Sequence, residues 1–275
     1  MLARESVEPP QPVSRQGVAP LVLPRLVIHR LLPAPPLRPW VDHYWFVQGP
    51  PPDAPTRNKL YPDGGATLTF RHLDTTAPSA GWDIARRTVA ACATTVGATL
   101  GIRFRPGGAF QLFGMPLEAL DDAGQWERWA PDDGKALRDS LPELSLEARL
   151  ARVDAWLLAR AEANGPRIGH VQRLLPLIDN GRFRIDRVVA NHGLSRRTLE
   201  RTFRDQVGLA PAQMDLLQRL KHARALLSGA EPSISQVAQA CGFHDQAHLT
   251  HRFRRHVGET PGEYRRRKLA QIYKA

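Results

Sequence analysis

Residues 195–211, SRRTLERTFRDQVGLAP, and residues 245–261, DQAHLTHRFRRHVGETP, are two copies of one sequence pattern. At a shift of 50 residues, six positions are identical: Leu199/Leu249, Phe203/Phe253, Arg204/Arg254, Val207/Val257, Gly208/Gly258 and Pro211/Pro261. Farther upstream the shift is 49 residues, and the matched pairs are Ile185/Ile234, Val188/Val237 and Gly193/Gly242. Repetition at such a period indicates two copies of one supersecondary unit.

Each copy predicts a helix, a turn that contains glycine, and a second helix. In the first copy, Leu199, Phe203 and Val207 stand four positions apart on the second helix, so they form one apolar stripe. The opposite face carries Arg and Glu side chains in the first copy and Gln, Thr, His and Arg in the second, which suit the base edges and phosphates of a DNA major groove. One such face alone could equally be a solvated surface, but duplication of the whole unit favours DNA binding.

The sequence from residue 166 onward predicts an all-helical domain with short turns. We expect helices near residues 167–179, 185–192, 195–206, 210–228, 234–241, 245–256 and 261–270. The segment between the two copies, residues 212–228, would form a helix about 25 Å long. A rod of that length can hold two recognition helices near the ~34 Å spacing of successive major grooves.

The positive charge of the chain is confined to this domain. Residues 1–165 contain 18 basic and 18 acidic side chains, whereas residues 166–275 contain 20 basic and 9 acidic ones. The net charge of +11 therefore belongs to the last 110 residues. A neutral domain joined to a basic one indicates that only the second meets a polyanion, with nucleic acid favoured over an anionic membrane surface.

The cysteine content and hydropathy exclude several other classes of protein. Cys92 and Cys241 are too few for a disulfide framework or a four-cysteine zinc site, and we expect both to be buried thiols. The sequence has no apolar run of about 18 residues and no signal-peptide pattern at its N-terminus. These features predict a cytoplasmic protein without a metal or cofactor and without membrane contact.

The first 165 residues predict a different architecture. Residues 1–20 are rich in proline and predict a disordered tail. Residues 21–106 contain β-branched and aromatic runs between turn formers, which predict a small antiparallel sheet or barrel, and residues 108–163 become helical. The break Asn164-Gly165-Pro166 marks the domain boundary. We therefore predict an α+β chain, with a β-rich and then helical regulatory domain over 21–165 and an all-α DNA-binding domain of two helix-turn-helix units joined by a linker helix over 166–275.

The C-terminal sequence resembles the AraC/XylS family of bacterial transcription regulators over about residues 167–268. The matching segments are LSRRTLERTFRDQVG, RLKHARALL and SISQVAQACGFHDQAHLTHRFRRHVGETPGEYR. In that family both recognition helices enter adjacent major-groove segments of one site. The first 165 residues resemble a recurring N-terminal domain type attached to this family, through RPWVDHYWFV, LYPDGGATLTF and GIRFRPGGAFQLFGMPLEAL.

The resemblance implies a set of DNA-contacting residues. Carried over by position, the base-contacting side chains are Arg197, Glu200, Arg201, Gln246, Ala247, Thr250 and His251. The side chains expected at phosphates are Ser195, Arg196, Arg204, Arg254 and Arg255. Ala247 departs from the polar residue that is common at its position, so it could touch only a thymine methyl group. The spacing of His244, His248 and His251 also suits a metal, but their place on a recognition helix explains them better.

Three hypotheses for the whole chain follow. The first is a regulator that binds double-stranded promoter DNA and responds to a small molecule or a partner, with RNA polymerase and a second copy as further partners consistent with that role. Its effector pocket would use Trp45, Tyr61, Phe70 and Phe104, although core packing accounts for most of these aromatic residues. The second is a constitutive DNA binder whose N-terminal domain only dimerises. The third, an enzyme fused to an AraC-type module, lacks clustered cysteine or histidine ligands.

Overall fold

A computed structural model describes residues 17–23, 26–49, 56–60, 63–84, 89–93, 97–117, 132–164, 174, 190, 193 and 195–272. The strands are β1 (Gly17–Leu23), β2 (Leu26–Leu31), β3 (Val41–Val47), β4 (Thr56–Leu60), β5 (Ala66–Arg71), β6 (Ser79–Ile84), β7 (Val89–Ala93) and β8 (Thr99–Phe104). The α-helices are α1 (Gly108–Phe113), α2 (Asp132–Ser140), α3 (Leu146–Ala163), α4 (Arg196–Val207), α5 (Pro211–Leu227), α6 (Ile234–Ala240), α7 (Gln246–Val257) and α8 (Pro261–Ile272).

The N-terminal domain is built on an antiparallel sheet of six strands in the order β1-β2-β3-β8-β5-β6, and β4 pairs with β7 separately. Side chains alternate between the two faces of a strand. The register places Tyr44 opposite Ile102 and Ile102 opposite Leu68, so these three side chains share one face. All three are 0 % exposed. The apolar side chains of this face are buried because helices pack over it.

Helices α1, α2 and α3 complete the core on that face, to which they contribute Leu112, Leu137, Leu150, Val153 and Leu157. The helical period of the α3 sequence predicted this arrangement, since its apolar residues recur at three and four positions. Helix α3 begins after Ser145, whose Oγ accepts a hydrogen bond from the N–H of Ala148 at 3.3 Å. A β-rich sheet followed by helices and then by an all-helical domain confirms the predicted fold class.

Two charged side chains of α3 lie in this core and are hydrogen-bonded there. Asp154 is 6 % exposed, and its Oδ1 accepts a 2.5 Å hydrogen bond from the hydroxyl of Tyr44. Arg149 is 8 % exposed and donates to the carbonyl oxygens of Leu141 and Leu73 at 2.8 and 3.0 Å. These bonds join α3 to β3 and to the loop after β5.

Substitution of Tyr44 by phenylalanine is expected to lower the free energy of unfolding by about 1–3 kcal/mol, because a buried hydrogen bond to a carboxyl group is lost. The aromatic ring and its packing are retained in this variant. Urea denaturation followed by tryptophan fluorescence measures the change. A midpoint equal to that of the unsubstituted protein would contradict a stabilising role for this bond.

The five described helices of the C-terminal domain, α4 to α8, begin and end within two residues of their predicted bounds. The predicted helices 167–179 and 185–192 lie outside the described residues apart from residues 174 and 190. Helix α5 joins the two repeat units, as predicted for the linker. Its residues Pro211 and Leu227 are both buried, which ties the two ends of the helix to the units that flank it.

The N-terminal strands depart from the prediction in three places. Strand β1 begins at Gly17, inside the segment predicted as a disordered tail, and pairs with β2; residues 1–16 lie outside the described residues. Pro20 argued against a strand here, because proline is disfavoured within a sheet. Strand β1 lies at the edge of the sheet, where proline is tolerated. Strands β4, TRNKL, and β6, SAGWDI, were not predicted because they are polar or contain glycine, and pairing with β7 and β5 holds them in place.

Candidate nucleic-acid interface

The two recognition helices, α4 and α7, begin and end in the same way. The side chains of Ser195 and Asp245 cap them, each accepting a backbone N–H from three residues on, at 3.0 and 2.7 Å. At the other ends, Gly208 and Gly258 have φ values of 74° and 78°, a left-handed conformation that favours glycine. The glycines shared by the two sequence copies therefore terminate equivalent helices.

The apolar stripes predicted on both helices are buried. Leu199, Phe203, Val207, Leu249 and Phe253 are 0 % exposed, and Val257 is 2 % exposed. In the second unit the ring of Phe253 meets Tyr264 of α8 edge to face, with 5.5 Å between ring centroids. Because one side of each helix is held in a core, the opposite side is turned to solvent.

The outward side of α4 carries three exposed arginines, Arg197, Arg201 and Arg204. Glu200 is half-buried between them, and its Oε1 lies 3.5 Å from the Nε of Arg196. An ion pair this exposed contributes little to stability, so the Glu200 carboxylate can leave Arg196 and accept a hydrogen bond from another donor. All of the first-unit residues predicted to contact DNA thus lie on this helix or at its start, where the Ser195 hydroxyl is engaged as the cap.

The second unit gathers its predicted residues in one open groove. The groove is lined by Gln246, Ala247, Thr250, His251, Arg254, Arg255 and Thr260. The Thr250 hydroxyl donates to the carbonyl oxygen of Gln246 at 2.8 Å. Towards a ligand it can therefore only accept a hydrogen bond or present its methyl group.

Thr260 was not predicted as part of this surface. It belongs to a capping box at the start of α8: its backbone N–H donates to Oε2 of Glu263 at 2.7 Å, and its hydroxyl accepts the N–H of Glu263 at 3.3 Å. The sequence TPGE carries the signal for this helix start. This local signal does not predict that the turn after α7 places Thr260 in the groove.

Arginine supplies the positive charge at the C-terminal end of α7, where Arg254 and Arg255 are exposed. The neighbouring His256 is half-buried, and burial lowers its pKa, assisted by the charges of Arg255 and Arg252. Its imidazole is therefore held in the neutral form near neutral pH. At the other end of α7, the hydrogen bond from the backbone N–H of the first turn lowers the pKa of Asp245, which keeps the cap ionised.

Helix α5 holds the second unit through a side chain that sequence reasoning did not single out. Arg219 donates from Nε to the carbonyl oxygen of Cys241 at 2.8 Å and from Nη2 to that of Gly242. Its guanidinium also lies over the ring of Phe243, 4.4 Å from the centroid. The turn between α6 and α7 is thereby attached to α5, which positions the second recognition helix.

Cys241, His244 and His248 make contacts within the domain. Cys241 is 1 % exposed in the core of the second unit, and burial raises the pKa of its thiol to about 11. His244 Nδ1 lies 3.0 Å from Oδ2 of Asp245, and the ring of His248 meets Phe243 edge to face. Across the described parts of the chain, no group of three His, Cys, Asp or Glu side chains is arranged to hold a metal ion.

The aromatic residues predicted for an effector pocket do not share one surface. Phe70 and Phe104 are 0 % and 1 % exposed in the core beneath the helices. Trp45 lies on the opposite face of the sheet, directly across from Gly101, where a Cβ would meet the indole at 2.0 Å. Tyr61 is outside the described residues. Among the described residues of this set, Trp45 alone faces away from the core. The alternation of side chains along β3, β5 and β8 could have distinguished it from Phe70 and Phe104 in the sequence.

Two protein families match separate parts of the chain. Residues 188–267 match a helix-turn-helix domain family, and residues 29–124 match a domain of unknown function (DUF6597). The chain is 40 % identical over 74 residues to the HTH-type transcriptional activator RhaR of Yersinia pseudotuberculosis, which covers 27 % of this chain and 26 % of that protein. It is 34 % identical over 101 residues to the HTH-type transcriptional regulator MtrA of Neisseria gonorrhoeae, which covers 36 % and 33 %.

Among solved structures, the DNA-binding domain of AdpA in complex with a target DNA is 33 % identical, with a TM-score of 0.34, and the match covers 38 % of this chain and 94 % of that one. The chain spans about a third or less of the length of the two curated relatives. Those relatives are transcription regulators rather than enzymes. Residues 188–267 therefore form a helix-turn-helix domain of the kind found in such regulators. This match confirms, over residues 188–267, the helix-turn-helix domain that the repeat predicts. No described helix is both long and apolar enough to cross a membrane.

Proposed function

We propose that this protein is a transcription regulator that binds a specific double-stranded DNA site with two recognition helices of one chain. The observation that carries the proposal is the shared geometry of α4 and α7, each of which buries an apolar stripe and exposes a polar face. The excess of basic over acidic side chains in residues 166–275, 20 against 9, adds attraction to phosphates.

The side chains on the two faces have distinct preferences for bases. Arg197 and Arg201 have the bidentate geometry that suits guanine, and Glu200 can accept from the amino group of cytosine. Gln246 suits adenine, and the methyl groups of Ala247 and Thr250 suit thymine. In this proposal the first unit contacts the more G-rich segment of the site, and the second contacts the other segment together with His251.

Other exposed side chains position the protein without selecting bases. Arg204, Arg254 and Arg255 lie toward the C-terminal ends of α4 and α7, where we assign them to phosphates together with Arg196 and the start of α4 at Ser195. Phosphate contacts set register and orientation and carry no sequence information directly. They add to affinity on every DNA sequence, whereas the central residues of each helix discriminate.

Competition binding tests the proposal. The full chain is bound to a labelled duplex chosen from genomic fragments that it retains, and unlabelled duplexes compete for it. The unlabelled copy of that duplex should displace the label at far lower concentration than a shuffled duplex of the same length and composition. Equal displacement by both would mean that the chain binds DNA without selecting a sequence.

We infer further that the N-terminal domain carries the regulatory input. The support is the face of the sheet opposite the helices, where Trp45 lies against Gly101 and is only partly buried. An accessible indole on this face favours an effector with a ring or another planar part.

Thermal unfolding of the full chain against a panel of small planar polar metabolites tests this inference. A ligand at about 100 times its Kd stabilises the folded protein by about 2.7 kcal/mol, which raises the melting temperature measurably. The substitution Trp45→Ala should reduce the shift. If no compound of the panel changed either the melting temperature or DNA affinity, a constitutive regulator would be the better description.

A further inference from the structure

The turn between β4 and β5 rests on the linker helix α5. Gln218 of α5 is 7 % exposed, and its Nε2 lies 3.4 Å from the carbonyl oxygen of Asp63. Gly64 has a φ of +80°, and a Cβ at this position would come within 2.6 Å of Sδ of Met214. Glycine satisfies both the backbone conformation and the close approach. The turn, residues 63–65, is therefore packed tightly against α5.

One side of α5 faces the N-terminal domain. Met214, Gln218 and Lys221 are four and three residues apart, so they lie on the same side of the helix. The charge of Lys221 reaches the carboxyl group of Asp42 in β3, whose pKa falls to about 2 chiefly through its hydrogen bond with His43. The direct contact covers one turn of α5, from Met214 to Gln218, while Arg219, on a different side, holds the second unit.

The exposed faces of the recognition helices stay open while this contact is made. Arg197, Arg201 and Arg204 of α4 are exposed, as are Gln246 and His251 of α7. The N-terminal domain therefore does not act by covering these residues. The N-terminal domain also contacts the first unit directly, since α1 packs against α4 and Gly208 lies beside Leu117. Its influence on DNA binding therefore passes through the positions of α4 and α5 and not through cover of the exposed faces.

Asp63 connects the turn to the polar face of the sheet. Its Oδ1 accepts the N–H of Gly65 at 3.0 Å and a hydrogen bond from the guanidinium of Arg103. Arg103 in turn donates to the Thr67 hydroxyl at 2.8 Å and lies two positions along β8 from Gly101, which the indole of Trp45 contacts. A change on that face can therefore reach α5 through one ion pair and one turn.

We propose that the turn 63–65 is a brace: through it the N-terminal domain holds α5 in the arrangement in which both recognition helices bind DNA. The Arg103–Asp63 ion pair keeps the turn in place, and the turn contacts α5 at Gln218 and Met214. Loss of the ion pair frees α5 to sample arrangements that do not fit one DNA site, and the apparent affinity falls with the fraction that still fits. The last step rests on the proposed DNA-binding function, whereas the contact itself is measurable without DNA.

The first test compares Asp63→Asn with Asp83→Asn in the full chain. The first variant keeps an oxygen for the N–H of Gly65 but removes the charge that pairs with Arg103. The second removes the carboxylate that lies 3.1 Å from Arg71 in the same sheet, away from α5. Hydrogen exchange of the amides of residues 211–221 should accelerate at least five-fold in Asp63→Asn and stay unchanged in Asp83→Asn. Binding to the retained duplex should weaken at least five-fold in the first variant alone.

The second test approaches the contact from α5. Gln218→Glu places a carboxylate beside the Asp63 carbonyl oxygen, whereas Gln213→Glu makes the same charge change about 140° around the helix. We expect Gln218→Glu to reproduce both effects of Asp63→Asn, namely faster hydrogen exchange in α5 and weaker DNA binding. The double variant Asp63→Asn/Gln218→Glu should show effects no larger than those of the more affected single variant. Unchanged exchange in α5 would overturn the contact, and faster exchange with unchanged DNA affinity would overturn its role as a brace. If the unsubstituted chain bound no DNA, the exchange data would still decide the contact, and the proposed function alone would fail.

Discussion

Raising the salt concentration from about 50 mM to about 200 mM is expected to weaken binding of the full chain to its selected duplex by roughly 10³- to 10⁵-fold, if six to ten phosphates are contacted. The reason is the release of counterions from DNA by the basic residues of the C-terminal domain, which exceed its acidic residues by 11. Fluorescence anisotropy titrations at several salt concentrations give the slope of log Kd against log salt.

Single substitutions at the phosphate positions calibrate this slope. Arg204→Ala and Arg254→Ala should each reduce the magnitude of the slope by about 1, the value expected for the loss of one phosphate contact. The reduction should be the same on selected and on random DNA. Arg71→Ala, in the N-terminal sheet, is the matched control and should leave the slope as it is. A slope near zero, or a slope changed as much by Arg71→Ala as by Arg254→Ala, would place the DNA surface elsewhere.

The double substitution of Arg197 and Arg201 by alanine is expected to weaken binding to the selected duplex by about 30-fold or more. Each bidentate contact with guanine discriminates by about 1–3 kcal/mol, and both side chains project from the exposed face of α4. Affinity for random DNA should fall much less, because only the phosphate attraction is lost there.

The specificity lost in that variant should be confined to the segment contacted by the first unit. Binding to duplexes with single base changes, compared between the double variant and Arg204→Ala, measures it. The double variant should tolerate changes in the G-rich segment and still reject changes in the other segment. Equal losses on selected and random DNA would reassign Arg197 and Arg201 to phosphates.

The C-terminal domain was predictable from sequence because local signals and packing agree there. The apolar stripe of α7, its Asp245 cap and its Gly258 terminus are all encoded within about a dozen residues, and the first unit repeats the same signals. The exposed faces follow from the helical period alone. Thr250 illustrates the limit of that reasoning, since its hydroxyl is already committed to the backbone carbonyl of Gln246.

The N-terminal domain was less predictable because its features depend on partners distant in sequence. Strand β6 exists through pairing with β5, and the burial of Phe70 and Phe104 depends on which face of the sheet the helices cover. The contact of Asp63 with Gln218 joins residues 155 positions apart, so no local pattern contains it. PDGG predicts a turn, but not that this turn meets the linker helix.

Selection of binding sites from random DNA by the full chain, at concentrations where it is monomeric, tests the central claim most directly. One chain that carries two unlike recognition helices should enrich a motif spanning about two helical turns, with two segments that differ in sequence and no two-fold symmetry. The segment assigned to Arg197 and Arg201 should be the richer in guanine, and it should lose its preference in the double alanine variant. A palindromic motif, or one only about five base pairs long, would contradict the claim that both units of one chain bind DNA together.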